Sequence, residues 1–135
     1  MNIGSTRIKH WMTPSPHSIG RDQPLRVAHG MMHEHAIRHL PVLDGGKLVG
    51  ILSQRDLYFL ESVGGVDPEV DPVEEGMSQE VYCVPLEARV AEVVAEMAER
   101  RYGCVVILDG NEVAGVFTTA DALGRFAAQL DAKIV

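Results

Sequence analysis

The 135-residue sequence has little cysteine, no long apolar run and no excess of positive charge, and each shortage removes a class of protein. Two cysteines, Cys83 and Cys104, are too few for a disulfide framework and lack the short spacing of a zinc pair, so both are expected to be reduced, buried thiols. No stretch approaches the ~20 consecutive apolar residues of a membrane-spanning helix, and the start, Met1-Asn2-Ile3-Gly4-Ser5, lacks the charged-then-apolar layout of a signal peptide. A cytoplasmic location without a membrane partner is the expectation. Twelve Lys and Arg against nineteen Asp and Glu give a formal charge of −7, which repels the phosphate backbone whose neutralisation supplies most nonspecific nucleic-acid affinity. Nucleic acid is therefore not an expected partner. Catalytic patterns are missing too: no serine sits in a Gly-x-Ser-x-Gly elbow, and neither cysteine has a neighbouring histidine within a motif. The chain is not expected to be an enzyme. What it does have, 46% hydrophobic and 23% charged residues, is the composition of a globular domain with a core of its own.

The chain repeats itself at an offset of 65 residues, which aligns Met12 with Met77, Met32 with Met97, Gly50 with Gly115 and Asp56 with Asp121 without a gap. Each copy opens with an extended segment, 17–19 or 81–84, followed by a helical stretch with apolar residues at three- and four-residue steps. Leu25, Ala28, Met32 and Ala36 form that face in one copy; Val90, Val93, Val94 and Met97 form it in the other. Pro24 suits the first turn of the first helix, with Asp22 as its cap. Two apolar runs follow, 40–43 and 48–52, joined by Asp44-Gly45-Gly46-Lys47, a hairpin signal repeated at 105–108 and 113–117 around Asp109-Gly110-Asn111-Glu112. A closing helix ends each copy, at 54–61 and 119–133. Segments 8–13 and 73–78 precede the first strands and are expected to form short turns ending at Met12 and Met77. The reading is an α/β (α+β) chain of two βαββα repeats, 6–61 and 73–133, with 62–72 as a Gly-, Pro- and acid-containing linker.

Two segments carry chemistry: Gly50-Ile51-Leu52-Ser53-Gln54-Arg55-Asp56 and Gly115-Val116-Phe117-Thr118-Thr119-Ala120-Asp121. Each sets a hydroxyl three residues before a carboxylate where a strand turns into a helix. One reading is a capping box, in which the two side chains take up free N–H groups of the helix start. The other is a ligand site, with phosphate drawn to those N–H groups and the carboxylate accepting from a ribose diol.

With these segments, the apolar strands Leu40-Pro41-Val42-Leu43-Asp44 and Val105-Val106-Ile107-Leu108-Asp109, and a Met-Thr or Met-Ser before each first strand, the sequence resembles the CBS domain family over about residues 6–130. The resemblance implies a tandem pair, or Bateman module, whose repeats pack by their sheets about a pseudo-twofold axis and leave two clefts for adenosyl ligands. One cleft would combine Thr118, Asp121 and Val116 with His17, Ile19, Arg38, His39, Leu40 and Pro41. The other would combine Ser53, Arg55, Asp56 and Ile51 with Val81, Tyr82, Cys83, Val84, Gly103 and Cys104. Arg38 and His39 occupy positions where family members hold phosphate, an assignment that suits paired guanidinium donors, although an exposed arginine at a helix C-terminus has a purely structural reading as well. The second cleft would rely on Arg55, or on Arg100 and Arg101.

All six histidines, 10, 17, 29, 33, 35 and 39, fall in the first copy. His29 and His33 have helix-ligand spacing, yet too few further ligands surround them for a metal site to be expected; clustered imidazoles also suit pH sensing. No cofactor is required by this reading, which makes an AMP-, ADP-, ATP-, NAD- or S-adenosylmethionine-like ligand an effector. The alternative is a ligand-independent module that dimerises or docks to an enzyme or transporter. A homodimer is expected, because Leu57, Tyr58, Leu60, Leu123, Phe126, Ala127 and Leu130 exceed what two thin units would cover.

Overall fold

A computed structural model describes residues 3–134, and the side chains of 4–132. In chain order the regular elements are β1 (Thr13–Pro14), β2 (Ile19–Gly20), α1 (Leu25–His35), β3 (His39–Asp44), β4 (Lys47–Ser53), α2 (Gln54–Ser62), β5 (Cys83–Pro85), α3 (Val90–Arg100), β6 (Cys104–Asp109), β7 (Glu112–Thr118) and α4 (Thr119–Ile134). Short 3-10 turns at Ile8–His10 and Val73–Glu75 stand before β1 and at the matching place ahead of β5. They end two residues before Met12 and Met77, and the residues that follow those methionines, Thr13 and Ser78, pair with Val116 and Ile51.

These elements form two compact units whose composition does not follow the order of the repeats. One is His17–Val81; the other joins the leading segment, through Pro16, to the residues from Tyr82 onward. Within His17–Val81 the sheet order is β2-β3-β4, with β2 parallel to β3 and a β3–β4 hairpin. The other unit has the order β1-β7-β6-β5, with the same parallel pair and hairpin. Each unit thus holds a βαββα core. Both hairpins turn on glycines with left-handed φ, Gly45 and Gly46 in one and Gly110 in the other, which fits the twist of two-residue loops.

The leading segments explain the division. Ile8 and Trp11 are buried with Val93, Val105, Ile107 and Phe117, while Val73 is buried with Leu25, Leu40, Val42 and Leu52. Thr13 and Pro14 pair with Val116 and Gly115, and Ser78 bridges to Ile51. A one-residue shift of register in each hairpin, after Val42 and after Ile107, brings Gly50 and Gly115 under these straps. The same segments finish the helices. Leu25 and Arg26 donate their N–H groups to the carbonyls of Asp71 and Pro68, at 2.9 Å each, and Val90 donates to Thr6 at 2.9 Å.

Several local expectations are corrected by this packing. Asp22 does not cap α1; Pro24 holds the cap position and the linker carbonyls satisfy the free donors. Ala36 is not a core residue, since it closes α1 with φ 53° and turns outward, as Arg101 closes α3 with φ 61°. The following N–H groups, of Ile37 and Tyr102, then reach back to the carbonyls of Met32 and Met97 at 3.0 and 3.1 Å, the bonding of a Schellman ending. Strands β2 and β5 begin at Ile19 and Cys83, two residues late; ahead of them His17 stacks on His35 and Tyr82 on Tyr102. Leu57 is buried and Phe126 packs on Trp11, so the apolar surface left on the closing helices is narrower than expected. The thiols of Cys83 and Cys104 are free and half-buried rather than fully buried. No helix among the described residues is long and apolar enough to cross a membrane.

Candidate functional site

Both strand-to-helix turns are capping boxes. At the start of α2 the Ser53 N–H donates to Asp56 Oδ2 at 2.9 Å and the Asp56 N–H donates to Ser53 Oγ at 3.0 Å. At the start of α4 the Thr118 N–H donates to Asp121 Oδ2 at 2.9 Å and the Asp121 N–H donates to Thr118 Oγ1 at 3.1 Å. The structural reading of the motif is therefore realised twice, and it does not exhaust the residues. Each carboxylate commits one oxygen to the cap; Oδ1 of Asp56 and of Asp121 has no hydrogen-bond partner among the described residues. Both aspartates are half-buried, so a fixed carboxylate with one open acceptor stands at each turn.

The hairpins bring further candidates to the same turns. His39 lies opposite Ser53 and Cys104 opposite Thr118. The Gln54 N–H donates to the Arg38 carbonyl at 2.8 Å and the Thr119 N–H to the Gly103 carbonyl at 3.1 Å, fixing the chain before β3 and β6 against each helix start. Arg38 and Arg55 are exposed and enter no ion pair among the described residues, whereas Arg100 is paired with Glu96 at 3.1 Å. Ile19, Leu40, Pro41 and Val84 are buried, leaving their backbone as the part that could meet a ligand, while Ile51, Val81, Tyr82, Cys83 and Val116 are half-buried and Gly103 is exposed. Burial pushes the Cys83 thiol up, and burial with the charge of Asp121 pushes Cys104 up to about 12. Neither is an activated nucleophile at neutral pH.

Sequence reasoning missed one part of the Asp121 surroundings. Trp11, Met12, Thr13 and Pro14 of the strap face Ala120, Asp121, Gly124 and Arg125 of α4 across a groove of about 370 Å³. Arg125 lies over the Trp11 ring at 5.9 Å and donates to the His10 carbonyl at 3.3 Å. The signal was its position four residues after Asp121, on one helix face.

The histidines are dispersed over several contacts. His17 stacks on His35 at 3.7 Å between centroids, and His29 pairs with Glu61 at 2.5 Å. The His17 and His35 rings are nearly parallel, at 11°, and two parallel imidazole planes cannot meet at one metal ion in their own planes. No group of three or more His, Cys, Asp or Glu is placed to hold a metal among the described residues.

Comparison with known proteins agrees with this architecture. The CBS domain family model matches residues 8–61 and 70–128. Hypoxic response protein 1 of Mycobacterium tuberculosis is 29% identical over 104 residues, spanning 76% of this chain and 73% of that protein. An uncharacterized conserved protein from Pyrococcus horikoshii superposes with a TM-score of 0.81 at 26% identity, covering 93% of this chain and 94% of that one. A CBS domain pair in complex with 5′-methylthioadenosine and S-adenosyl-L-methionine superposes with a TM-score of 0.81 at 25% identity, covering 90% and 99% of the two chains. Two matched repeats, each built around a strand-to-helix turn with Ser or Thr and Asp, lead to one assignment: the chain belongs to the CBS domain family and carries two CBS domains in tandem.

Proposed function

We propose that this CBS pair is a regulatory module of the cytoplasm that binds an adenosyl ligand, an adenine nucleotide or a relative such as NAD or S-adenosylmethionine, and has no catalytic activity of its own. The observation that carries the reading is the pair of capped aspartates, Asp56 and Asp121, each with an open Oδ1 at a half-buried turn. A carboxylate so held suits a vicinal diol, whose O–H groups donate more strongly to a charged acceptor than to a neutral one. The adenosyl ligands of the similar CBS pair support the ligand class. Ser53 and Thr118 flank the ribose, Arg38, His39 and Arg55 serve phosphate, and the chain around Tyr82, Cys83, Gly103 and Cys104 contributes to the adenine surroundings. Equilibrium dialysis against AMP, ADP, ATP, NAD and S-adenosylmethionine tests this directly, with saturable binding of at least one expected; no binding by any of them defeats the reading.

A second reading, a module that acts by association alone, is favoured by apolar side chains left in solvent: Tyr58 and Phe59 on α2, Leu123 and Leu130 on α4, each more than half exposed. Association and ligand binding are compatible, and we expect a homodimer under both. Light scattering at tens of micromolar is expected to give twice the chain mass of 14.7 kDa; a monomer mass would leave these side chains unexplained.

A further inference from the structure

The groove between the strap and α4 joins an open carboxylate to an arginine that no reading of the motif assigns. Asp121 and Arg125 stand on one face of α4, four residues apart, or ~6 Å of helix rise. That separation is of the size of the distance from a ribose diol to a 5′-phosphate. Arg125 is held in place from two sides, by the Trp11 ring beneath it at 5.9 Å and by the His10 carbonyl, which accepts from Nη2 at 3.3 Å. One donor of five is thereby used, and Arg125 enters no ion pair among the described residues, so Nε and Nη1 remain to form a fork toward an anion. The walls are Met12, Pro14 and the small residues Ala120 and Gly124, which leave the volume of about 370 Å³ open beside both charges.

We propose that Arg125 is a further charge-selecting residue, beyond Arg38, His39 and Arg55: it contacts the 5′-phosphate of a nucleotide whose ribose is held by Asp121, and it disfavours the uncharged nucleoside and the cationic sulfonium of S-adenosylmethionine. This rests on the adenosyl reading above and adds the charge class of the ligand. Trp11 is the single tryptophan of the chain and lines this groove, so its emission is a probe placed at the site.

The test titrates AMP and adenosine into the full chain and its Arg125→Gln and Arg125→Lys variants, following Trp11 emission alongside equilibrium dialysis, with thermal melts to confirm folding. The wild type is expected to bind AMP at least about ten-fold more tightly than adenosine, with a change in Trp11 emission. Arg125→Gln is expected to lose that preference while keeping its adenosine affinity, and Arg125→Lys to retain part of it. Equal affinities for AMP in wild type and Arg125→Gln, a parallel loss of AMP and adenosine, or AMP binding that leaves Trp11 emission unchanged would each overturn the proposal and leave the adenosyl reading standing. Dialysis that finds neither AMP nor adenosine bound to the wild type would overturn the proposal, and the adenosyl reading falls with it only when ADP, ATP, NAD and S-adenosylmethionine fail to bind as well.

Discussion

Replacing Asp121 with alanine is expected to weaken adenosyl-ligand binding by roughly 1.5–3 kcal/mol, about ten- to a hundred-fold, because the variant removes a charged acceptor from the ribose diol. The capping box adds a second effect. The Thr118 N–H donates to Asp121 Oδ2 at 2.9 Å, and loss of a cap contact costs about 0.5–2 kcal/mol of stability. Asp121→Asn separates the two, since its amide oxygen still accepts from Thr118 while the charge is gone. Calorimetric titration and urea unfolding of both variants are the measurements: binding should fall in both, stability mainly in the alanine variant. If Asp121→Ala loses stability but binds normally, the aspartate is a cap and nothing more. Asp56→Ala is the matched experiment in the other unit, where the same two hydrogen bonds are made.

Gly115→Ala is expected to destabilise the fold by about 1–3 kcal/mol through overpacking. A Cβ built there would lie 2.5 Å from Met12 Sδ and 2.8 Å from the Thr13 carbonyl oxygen. The methionine can swing aside; the carbonyl belongs to a strap whose register is fixed by pairing with Val116 and Gly115 itself, and it cannot. Gly50→Ala should cost a similar amount, with Met77 Sδ at 2.6 Å and the Ser78 carbonyl oxygen at 2.8 Å. Gly30→Ala provides the contrast: in α1, with nothing within 4 Å of the added methyl, it should gain roughly 0.5–1 kcal/mol. Urea midpoints at constant slope decide the comparison. An unchanged midpoint for Gly115→Ala would mean that the strap yields more readily than its hydrogen bonds suggest.

The glycines also mark where sequence reading ran out. Gly50 and Gly115 align at the repeat offset, as do Met12 and Met77, so a Met and a Gly are visible as features of each repeat. Their meeting is not visible: Met12 lies against Gly115 and Met77 against Gly50, each crossing from one copy to the other. Two repeats of one pattern offer equivalent surfaces, and periodicity cannot tell which copy a strap covers. Asp22 loses the cap of α1 for a related reason, because the carbonyls of Asp71 and Pro68 that take its place are remote in sequence.

The sequence by itself determined the repeat, the strand and helix content of each copy, the two hairpin turns and the Ser/Thr-x-x-Asp boxes, all of which depend on neighbours within a few residues. Only the tertiary structure decided which strap completes which sheet, which oxygen of Asp121 stays open, and that Arg125 rests on Trp11 beside it, more than a hundred residues away along the chain. Local backbone bonding is written in short-range residue order, whereas the placement of a strap or a guanidinium follows from close packing between distant segments, which composition and spacing do not encode.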